Sequence, residues 1–189
     1  MATYVLVHGG GHGGWCYQPV ARLLRTAGHQ VYSPSLTGLG EREHLFRCGV
    51  DLDCHITDIV NLLHFEDLRD VILVGHSYGG MVITGAADRA TDRVGHLVYL
   101  DAATPVNGQA LVEVAPEILR LANEPALARI PQSHLCTTLY MRWRDVVDLR
   151  QKANGRLWDL DTGHDIMITE PGWVADKLML LALDAADAH

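Results

Sequence analysis

The chain has little of what nucleic-acid-binding and membrane proteins need. Its 15 Lys and Arg residues are outnumbered by 23 Asp and Glu residues, the formal net charge is -8, and no basic cluster stands out. A nucleic-acid or anionic-membrane partner is therefore not expected. No apolar run reaches the roughly 20 residues that cross a bilayer, and no basic segment precedes the first apolar strand. These absences predict a cytoplasmic protein whose partner is a small neutral molecule.

Metal and redox signatures are missing as well. The cysteines show no CxxC or zinc spacing, and we expect reduced, packed thiols at Cys16, Cys48, Cys54 and Cys136. The 11 histidines are scattered, and most are interpreted as structural or exposed: His12, His29, His44, His55, His64, His96, His134 and His189. The sequence therefore predicts no metal site and no cofactor.

The chain does contain a regular alternation of apolar strands and amphipathic helices. Its 189 residues, 48% of them hydrophobic, suffice for one buried domain spanning 1–189. Strands are predicted at 3–7, 30–36, 71–74, 94–100, 134–138 and 156–160. Uninterrupted apolar strands separated by amphipathic helices are typical of an α/β fold, here a parallel sheet of about six strands with helices on both faces.

The segment 105–131 breaks this alternation. Its apolar residues follow a helical spacing from Leu111 to Ala122, but Pro116, Pro125 and Pro131 interrupt it. One or two short helices outside the sheet are predicted. Two interpretations remain open at this point, a plain crossover between strands and a small, truncated cap inserted over the active site.

The most informative stretch is the one around Ser77. The aliphatic run at 71–74 leads into Gly75-His-Ser-Tyr-Gly79, and a second apolar run follows at once. This pattern predicts a buried strand, a sharp turn and a helix that packs back on the strand. In such a G-x-S-x-G elbow the glycines allow close backbone approach, so that the serine hydroxyl is exposed at the tip. Ser77 is the predicted nucleophile.

A glycine-rich loop, Val7-His-Gly-Gly-Gly-His-Gly-Gly14, follows the first strand. Neither a Walker A motif nor a full dinucleotide fingerprint is present. Beside an elbow serine, such a loop favours an oxyanion hole, with one backbone N–H from the loop and one from the residue after the nucleophile. We assign these donors to Gly10 and Tyr78, and we predict substrate contacts at Gly11, His12 and His76.

A general base is expected late in the chain, because the order in this kind of site is serine, acid, histidine. His164 follows the last predicted strand in Leu160-Asp-Thr-Gly-His-Asp165, at the same sheet edge as Ser77. A histidine in this loop is hard to explain as core packing. His164 is predicted to take the Ser77 proton during attack and to return it to the leaving alcohol.

These motifs resemble those of the α/β-hydrolases, and within them the plant methyl esterase and hydroxynitrile lyase family with its bacterial relatives. The resemblance covers about residues 3–105 and 130–184, and its further motifs are Leu36-Thr-Gly-Leu-Gly-Glu-Arg42 and Gly163-His-Asp-Ile-Met167. It implies an α/β-hydrolase fold and a cofactor-free serine hydrolase of small esters or lactones. The family generally has more residues between the strands that flank 105–131, so the cap should be reduced and a partner subunit could cover the open pocket.

The triad acid departs from the family pattern. The position that aligns with the usual acid is Leu139, whereas Asp101 closes the strand that follows the nucleophile strand. Other α/β-hydrolases resemble this arrangement, with their acid one strand earlier. Both strand ends face the same crevice, so Asp101 is the predicted acid, with Asp145 and Asp148 as alternatives.

The sequence leaves other activities open. Cyanohydrin cleavage in the family would require a lysine after the catalytic histidine, and this chain has Asp165 there. A non-hydrolytic cyclase or lyase of a biosynthetic pathway and a non-catalytic ligand-binding protein on the same fold remain as alternatives. A carboxylic ester hydrolase is favoured because a binding module has no need for all four parts, Ser77, His164, Asp101 and the glycine loop.

Overall fold

A single parallel sheet forms the centre of the protein. The structure, a computed structural model, describes residues 1–47, 49–108, 110–111 and 115–186. Its strands are, in chain order, β1 (Thr3–Val7), β2 (Gln30–Tyr32), β3 (Val71–His76), β4 (Val94–Leu100), β5 (Ala110–Leu111), β6 (Ala115–Ile118), β7 (Gln132–Thr137) and β8 (Leu157–Leu160). Six of them form the sheet in the order β2-β1-β3-β4-β7-β8, and every pairing in it is parallel. The predicted α/β fold with a six-stranded parallel sheet is confirmed.

The helices begin and end where local sequence signals place them. They are α1 (Gln18–Thr26), α2 (Leu52–Phe65), α3 (Gly79–Arg89), α4 (Glu124–Leu127), α5 (Thr138–Met141), α6 (Val146–Lys152), α7 (Ile166–Thr169) and α8 (Pro171–Ala186). The Asp51 side chain caps α2 by accepting a hydrogen bond of 2.8 Å from the Cys54 N–H. Pro171 opens α8, where its missing N–H leaves no helical bond unmade. No helix among the described residues is long and apolar enough to cross a membrane.

The continuous apolar strands are explained by burial on both faces of the sheet. Alternate residues of one strand belong to two separate cores. In β3, Val71 and Leu73 pack with α2 and α3, whereas Ile72 and Val74 pack with α1 and α8. Because side chains alternate across a strand, a strand covered on both faces must be apolar at every position.

The segment between β4 and β7 corrects one prediction. Strands β5 and β6 form an antiparallel pair there, and the only described helix in 105–131 is the four-residue α4. The predicted helix through Leu111 and Ile118 is therefore wrong, while Val114 lies outside the described residues. Pro116 gives the reason: it would break a helix interior but is tolerated in a short strand at an edge.

The described part of this segment packs against α3. Both carboxylate oxygens of Asp88 accept bonds of 2.7 Å, from the Ala122 and Asn123 N–H groups, and Leu119 and Leu127 join the core on the α2 and α3 face. Whether residues 105–131 act as a reduced cap within one domain stays a prediction.

Strand order determines where a ligand can bind. The chain runs from β1 to β2 on one side and then places β3 on the other side of β1. The carboxyl ends of β1 and β3 therefore flank a crevice in which the loops above them diverge, the usual ligand position in open α/β sheets. The glycine-rich loop leaves β1 at this crevice, and Ser77 leaves β3.

Candidate active site

Ser77 lies at a strained turn between β3 and α3. Its φ is 52°, a left-handed conformation that a residue with a Cβ seldom adopts. A Cβ added at Gly75 would lie 2.6 Å from the Gly79 carbonyl oxygen, so this close approach of strand and helix requires glycine. The turn is the predicted elbow, with the serine half-buried at its tip.

The glycine-rich loop lies directly against this turn. A Cβ added at Gly9 would be 2.9 Å from the Ser77 Cβ, so the loop could not pass the serine with a larger residue. His8 fixes the loop: its Nδ1–H donates to the Gly9 carbonyl at 2.7 Å, and its Nε2 accepts from the Leu36 N–H at 3.0 Å. Burial lowers the pKa of His8, which keeps the ring in the neutral form that these two bonds require.

Asp101 and Ser77 leave neighbouring strands side by side. His76 pairs with Leu100 across β3 and β4, and the next residue of each strand turns out of the sheet. Asp101 has a φ of 46°, so it too adopts the left-handed region, and its side chain is buried. Two strained residues at adjacent strand ends are typical of a functional site, because strain persists only where the surroundings impose it.

The Asp101 carboxylate connects β7 with the loop after β8. Its Oδ2 lies 2.5 Å from His164 Nδ1, and its Oδ1 accepts bonds from the Thr137 N–H at 2.7 Å and the Thr137 hydroxyl at 3.1 Å. A carboxylate only accepts, so His164 Nδ1 carries the proton and Nε2 is left with the lone pair of a base. The bond to Asp101 raises the pKa of His164, and burial opposes that shift.

The alternative acids have other partners. Asp145 caps α6 by accepting from the Val147 and Asp148 N–H groups, each at 3.0 Å. Asp148 forms an exposed ion pair of 2.8 Å with Lys152. Of the three carboxylates considered from the sequence, Asp101 is the one in contact with His164.

The loop that contains His164 is anchored to the residue before the serine. His76 Nε2–H donates to the His164 carbonyl at 3.0 Å, and the two imidazole ring centroids are 4.5 Å apart. Burial, with a smaller contribution from the nearby charge of His164, lowers the pKa of His76 to about 4. The neutral His76 ring therefore acts as a bridge between the elbow and the His164 loop.

A cavity of about 330 Å³ opens beside the glycine loop. It is lined by Gly10, Gly11, Thr37, Leu39, Phe46, Val50, Asp51, Leu52, His55 and Tyr78. The predicted oxyanion donors Gly10 and Tyr78 and the predicted substrate contact Gly11 thus face one space. The other two predicted substrate contacts, His12 and His76, are not part of its lining.

Tyr78, the residue after Ser77, is held by a chain of hydrogen bonds that the sequence did not indicate. His55 Nε2–H donates to the Thr37 carbonyl at 2.9 Å, so His55 Nδ1 must accept the 2.8 Å bond from the Tyr78 hydroxyl. Thr37 is fixed in turn by Asp58, which accepts from its N–H and its hydroxyl. These hydrogen bonds fix the Tyr78 side chain next to Ser77.

A second cluster of polar side chains surrounds His76, the residue before Ser77. His12 Nε2 is 3.4 Å from Asp165 Oδ1, and His76 Nε2 is 3.8 Å from the same oxygen. From the sequence, His12 and His76 were predicted as substrate contacts, and Asp165 was given no binding role. Only the tertiary structure brings His12, His76 and Asp165 together.

Comparison with known proteins agrees with this geometry. The profile of the Alpha/beta hydrolase family matches residues 4–173, which is most of the chain. The protein belongs to the alpha/beta hydrolase family. The observed α/β fold agrees with this membership.

Curated relatives match part of the chain. The carbendazim hydrolyzing esterase of Nocardioides sp. (strain SG-4G) is 54% identical over 119 residues, 63% of this chain and 49% of the relative. The putative methylesterase 13 of Arabidopsis thaliana is 36% identical over 119 residues, 59% of this chain and 25% of the relative. The chain spans half or less of the length of these relatives.

Solved structures match almost the whole chain. An extracellular alpha/beta-hydrolase from a Paenibacillus species superposes with a TM-score of 0.76 and 21% identity, covering 94% of this chain and 98% of that one. A methylesterase from Arabidopsis gives a TM-score of 0.75 with 24% identity, covering 96% and 99%. At this identity the superpositions demonstrate a shared fold. The predicted resemblance to plant methyl esterases and their bacterial relatives is confirmed.

Three predicted thiols are found in the structure. Cys16 and Cys136 are buried and Cys54 is half-buried, all with free sulfurs, while Cys48 lies outside the described residues. Burial raises the pKa of Cys16 and of Cys136 to about 12, so neither thiol is a nucleophile near neutral pH. Cys16 and Cys136 therefore do not compete with Ser77 for the role of nucleophile.

Proposed function

We propose that the protein is a serine hydrolase that cleaves small carboxylic esters or lactones through an acyl-enzyme on Ser77. The observation that supports this most directly is the 2.5 Å contact between Asp101 Oδ2 and His164 Nδ1, at the sheet edge where β3 presents Ser77. Membership of the hydrolase family and relatives named as esterases support the same reaction class.

In the proposed mechanism His164 is the general base and Asp101 orients it. His164 Nε2 takes the hydroxyl proton as Ser77 Oγ attacks the ester carbonyl, and the buried Asp101 stabilises the imidazolium that forms. The tetrahedral intermediate collapses, the C–O bond to the alcohol breaks, and His164 returns the proton to that alcohol. Water, deprotonated by His164, then hydrolyses the acyl-enzyme and releases the carboxylic acid.

The oxyanion of the intermediate is assigned to the backbone N–H groups of Gly10 and Tyr78. Both residues line the cavity beside Ser77, and the Tyr78 side chain is fixed by His55. Preorganised donors need no rearrangement as charge develops, and losing one such donor costs about 3 kcal/mol of transition-state stabilisation. Rigidity at Tyr78 therefore contributes directly to catalysis in this mechanism.

The cavity favours a small, largely apolar substrate. Its volume of about 330 Å³ is near the lower end of ligand pockets, and Leu39, Phe46, Val50 and Leu52 supply apolar walls. The names of two relatives also refer to small substrates, carbendazim in one case and methyl esters in the other. We infer that the acyl or alcohol group next to the scissile bond is neutral and compact.

A fluorophosphonate probe tests the proposed nucleophile. Wild type and Ser77→Ala are treated in parallel and their intact masses are measured, with circular dichroism to verify that both are folded. We expect one added probe on wild type and none on Ser77→Ala. Unlabelled, folded wild type, or equal labelling of both, would refute the assignment and favour a non-covalent cyclase or a binding protein.

We further propose that a second copy of the chain covers the open site, in a cytoplasmic protein. The large side chains of Leu139, Trp143 and Val147 are exposed on and between α5 and α6, which follow the end of β7 that contacts Asp101. Burying them would stabilise a dimer by about 2 kcal/mol per fully buried side chain. A monomer in sedimentation velocity at micromolar protein would exclude this assembly.

A further inference from the structure

The cluster of His12, His76 and Asp165 is not used by the proposed hydrolysis. One candidate ligand atom from each residue lies within 4.8 Å of the others. Two imidazoles and a carboxylate are the ligand set of several catalytic zinc sites, in which a water completes the coordination. We propose that these residues bind a divalent transition metal such as Zn²⁺ beside the hydrolytic site.

The distances are close to those that zinc requires. Zn–N and Zn–O bonds of about 2.0–2.1 Å in a tetrahedron place neighbouring ligand atoms about 3.3 Å apart. Asp165 Oδ1 lies 3.4 Å from His12 Nε2 and 3.8 Å from His76 Nε2. The candidate ligand atoms of the two histidines lie within 4.8 Å of each other, so the rings would have to approach by up to about 1.5 Å to complete the geometry around one ion.

One oxygen of the cluster, Asp165 Oδ1, lacks a partner that would otherwise explain its position. Asp165 Oδ1 is buried and has no hydrogen-bond partner among the described residues. His12 Nδ1 lies 3.1 Å from the Gly10 carbonyl, which can only accept, so Nδ1 carries a proton and Nε2 faces Asp165. A positive charge between Nε2 and the carboxylate, from a proton or a metal ion, stabilises this 3.4 Å approach. The Gly10 carbonyl also supplies the backbone acceptor that metal-bound histidines usually have on their other nitrogen.

Metal binding requires a change of tautomer at His76. Its Nε2–H donates to the His164 carbonyl, so coordination through Nε2 moves the proton to Nδ1 and breaks that bond. His76 Nδ1 has no partner within the described chain, which makes this tautomer costly. We therefore expect a weaker affinity than that of a structural zinc site. The same change of tautomer breaks the bond between His76 and the His164 carbonyl and so releases the His164 loop from the elbow. Metal binding therefore inhibits ester hydrolysis.

Zinc titration of tag-free, full-length protein tests the site without reference to activity. Isothermal titration calorimetry is run on wild type, Asp165→Asn and the matched control Asp161→Asn, which changes an exposed carboxylate in the same loop. We expect one Zn²⁺ per chain in wild type and in Asp161→Asn, and at least tenfold weaker binding in Asp165→Asn. His12→Gln provides a second variant on a different element, with the same expected loss.

The outcomes separate this site from adventitious binding. No zinc binding by wild type, or equal affinity in all four proteins, overturns the proposal. A second measurement compares initial rates of p-nitrophenyl acetate hydrolysis with and without Zn²⁺, followed by EDTA. This arm depends on the proposed hydrolase activity, whereas calorimetry does not, so failure of one proposal is distinguishable from failure of the other. We expect Zn²⁺ to lower the initial rate of wild type and EDTA to restore it. The same Zn²⁺ concentration should lower the rate of Asp165→Asn by a smaller factor.

Discussion

Replacing Asp101 with Asn isolates the role of the acid, because Thr137 determines how the new amide must orient. The Thr137 N–H donates to Asp101 Oδ1 at 2.7 Å, so this position must keep an oxygen. The amide of Asn then directs its NH₂ at His164 Nδ1, where the carboxylate oxygen had been 2.5 Å away. A donor there stabilises the tautomer with the proton on Nε2, which cannot accept the proton of Ser77.

The expected cost is large. In a serine protease triad the same exchange of carboxylate for amide lowers kcat by about 10⁴-fold through the wrong tautomer, which corresponds to about 5.5 kcal/mol of transition-state stabilisation. The geometry here predicts a similar loss, because flipping the amide would place two donors together at the Thr137 N–H. By contrast, Thr137→Val keeps the N–H bond to Asp101 and removes the hydroxyl, which donates to Oδ1 at 3.1 Å and to Oδ2 at 3.3 Å and accepts from the Tyr140 N–H at 3.0 Å. A lost hydrogen bond to a charged group of about 1.5 kcal/mol predicts a decrease in kcat of roughly tenfold.

The assay is steady-state hydrolysis of p-nitrophenyl acetate by wild type, Asp101→Asn and the control Asp145→Asn, with urea unfolding of each. The control removes an exposed helix-capping carboxylate that contacts α6 rather than His164. We expect kcat to fall about 10⁴-fold in Asp101→Asn while KM and the control stay near wild type. A folded Asp101→Asn protein within tenfold of the wild-type rate would refute the tautomer argument and move the acid elsewhere.

Two further predictions concern stability. A Cβ at Gly80 would lie 2.0 Å from the Ala103 carbonyl oxygen, so Gly80→Ala should destabilise the fold by about 1–3 kcal/mol or more, measured by urea denaturation; a neutral effect would contradict the close packing of α3 on the loop after β4. Burial, aided by the charges of Arg144 and Lys152, lowers the pKa of His134 from 6.5 to about 4. As pH falls from about 6.5 to 4, the unfolded chain takes up this proton before the folded protein does, so His134 should reduce the free energy of unfolding by up to about 3 kcal/mol over this range. His134→Leu should lose that component of the pH dependence in urea titrations between these pH values, and parallel curves for the two proteins would count against it.

Most of the fold could be predicted from the sequence because its signals are local. Apolar runs identified the six strands of the parallel sheet. The error at β5 and β6 has a physical reason as well. Apolar residues of a short segment satisfied a helical spacing, while Pro116 and pairing with a second strand decided the conformation.

In the candidate site as well, local sequence predicts some features and not others. Ser77, with the glycines around it, is specified within a few residues, since the elbow is a property of one strand, one turn and one helix. The partner of His164 was left open among carboxylates because 63 residues separate it from Asp101. The hydrogen bonds between His55 and Tyr78 and between Thr137 and Asp101 have no local sequence pattern that could predict them.

The sequence by itself determined a parallel α/β sheet, a sharp strand–turn–helix at Ser77 and a glycine loop that follows the first strand. Hydrophobic periodicity and turn chemistry act over short stretches of chain, so the residue order is enough to specify them. Tertiary structure alone decided which side chains meet: Asp101 with His164, and His12 with His76 and Asp165. These contacts depend on strand order and register, which bring the ends of distant segments to one edge of the sheet.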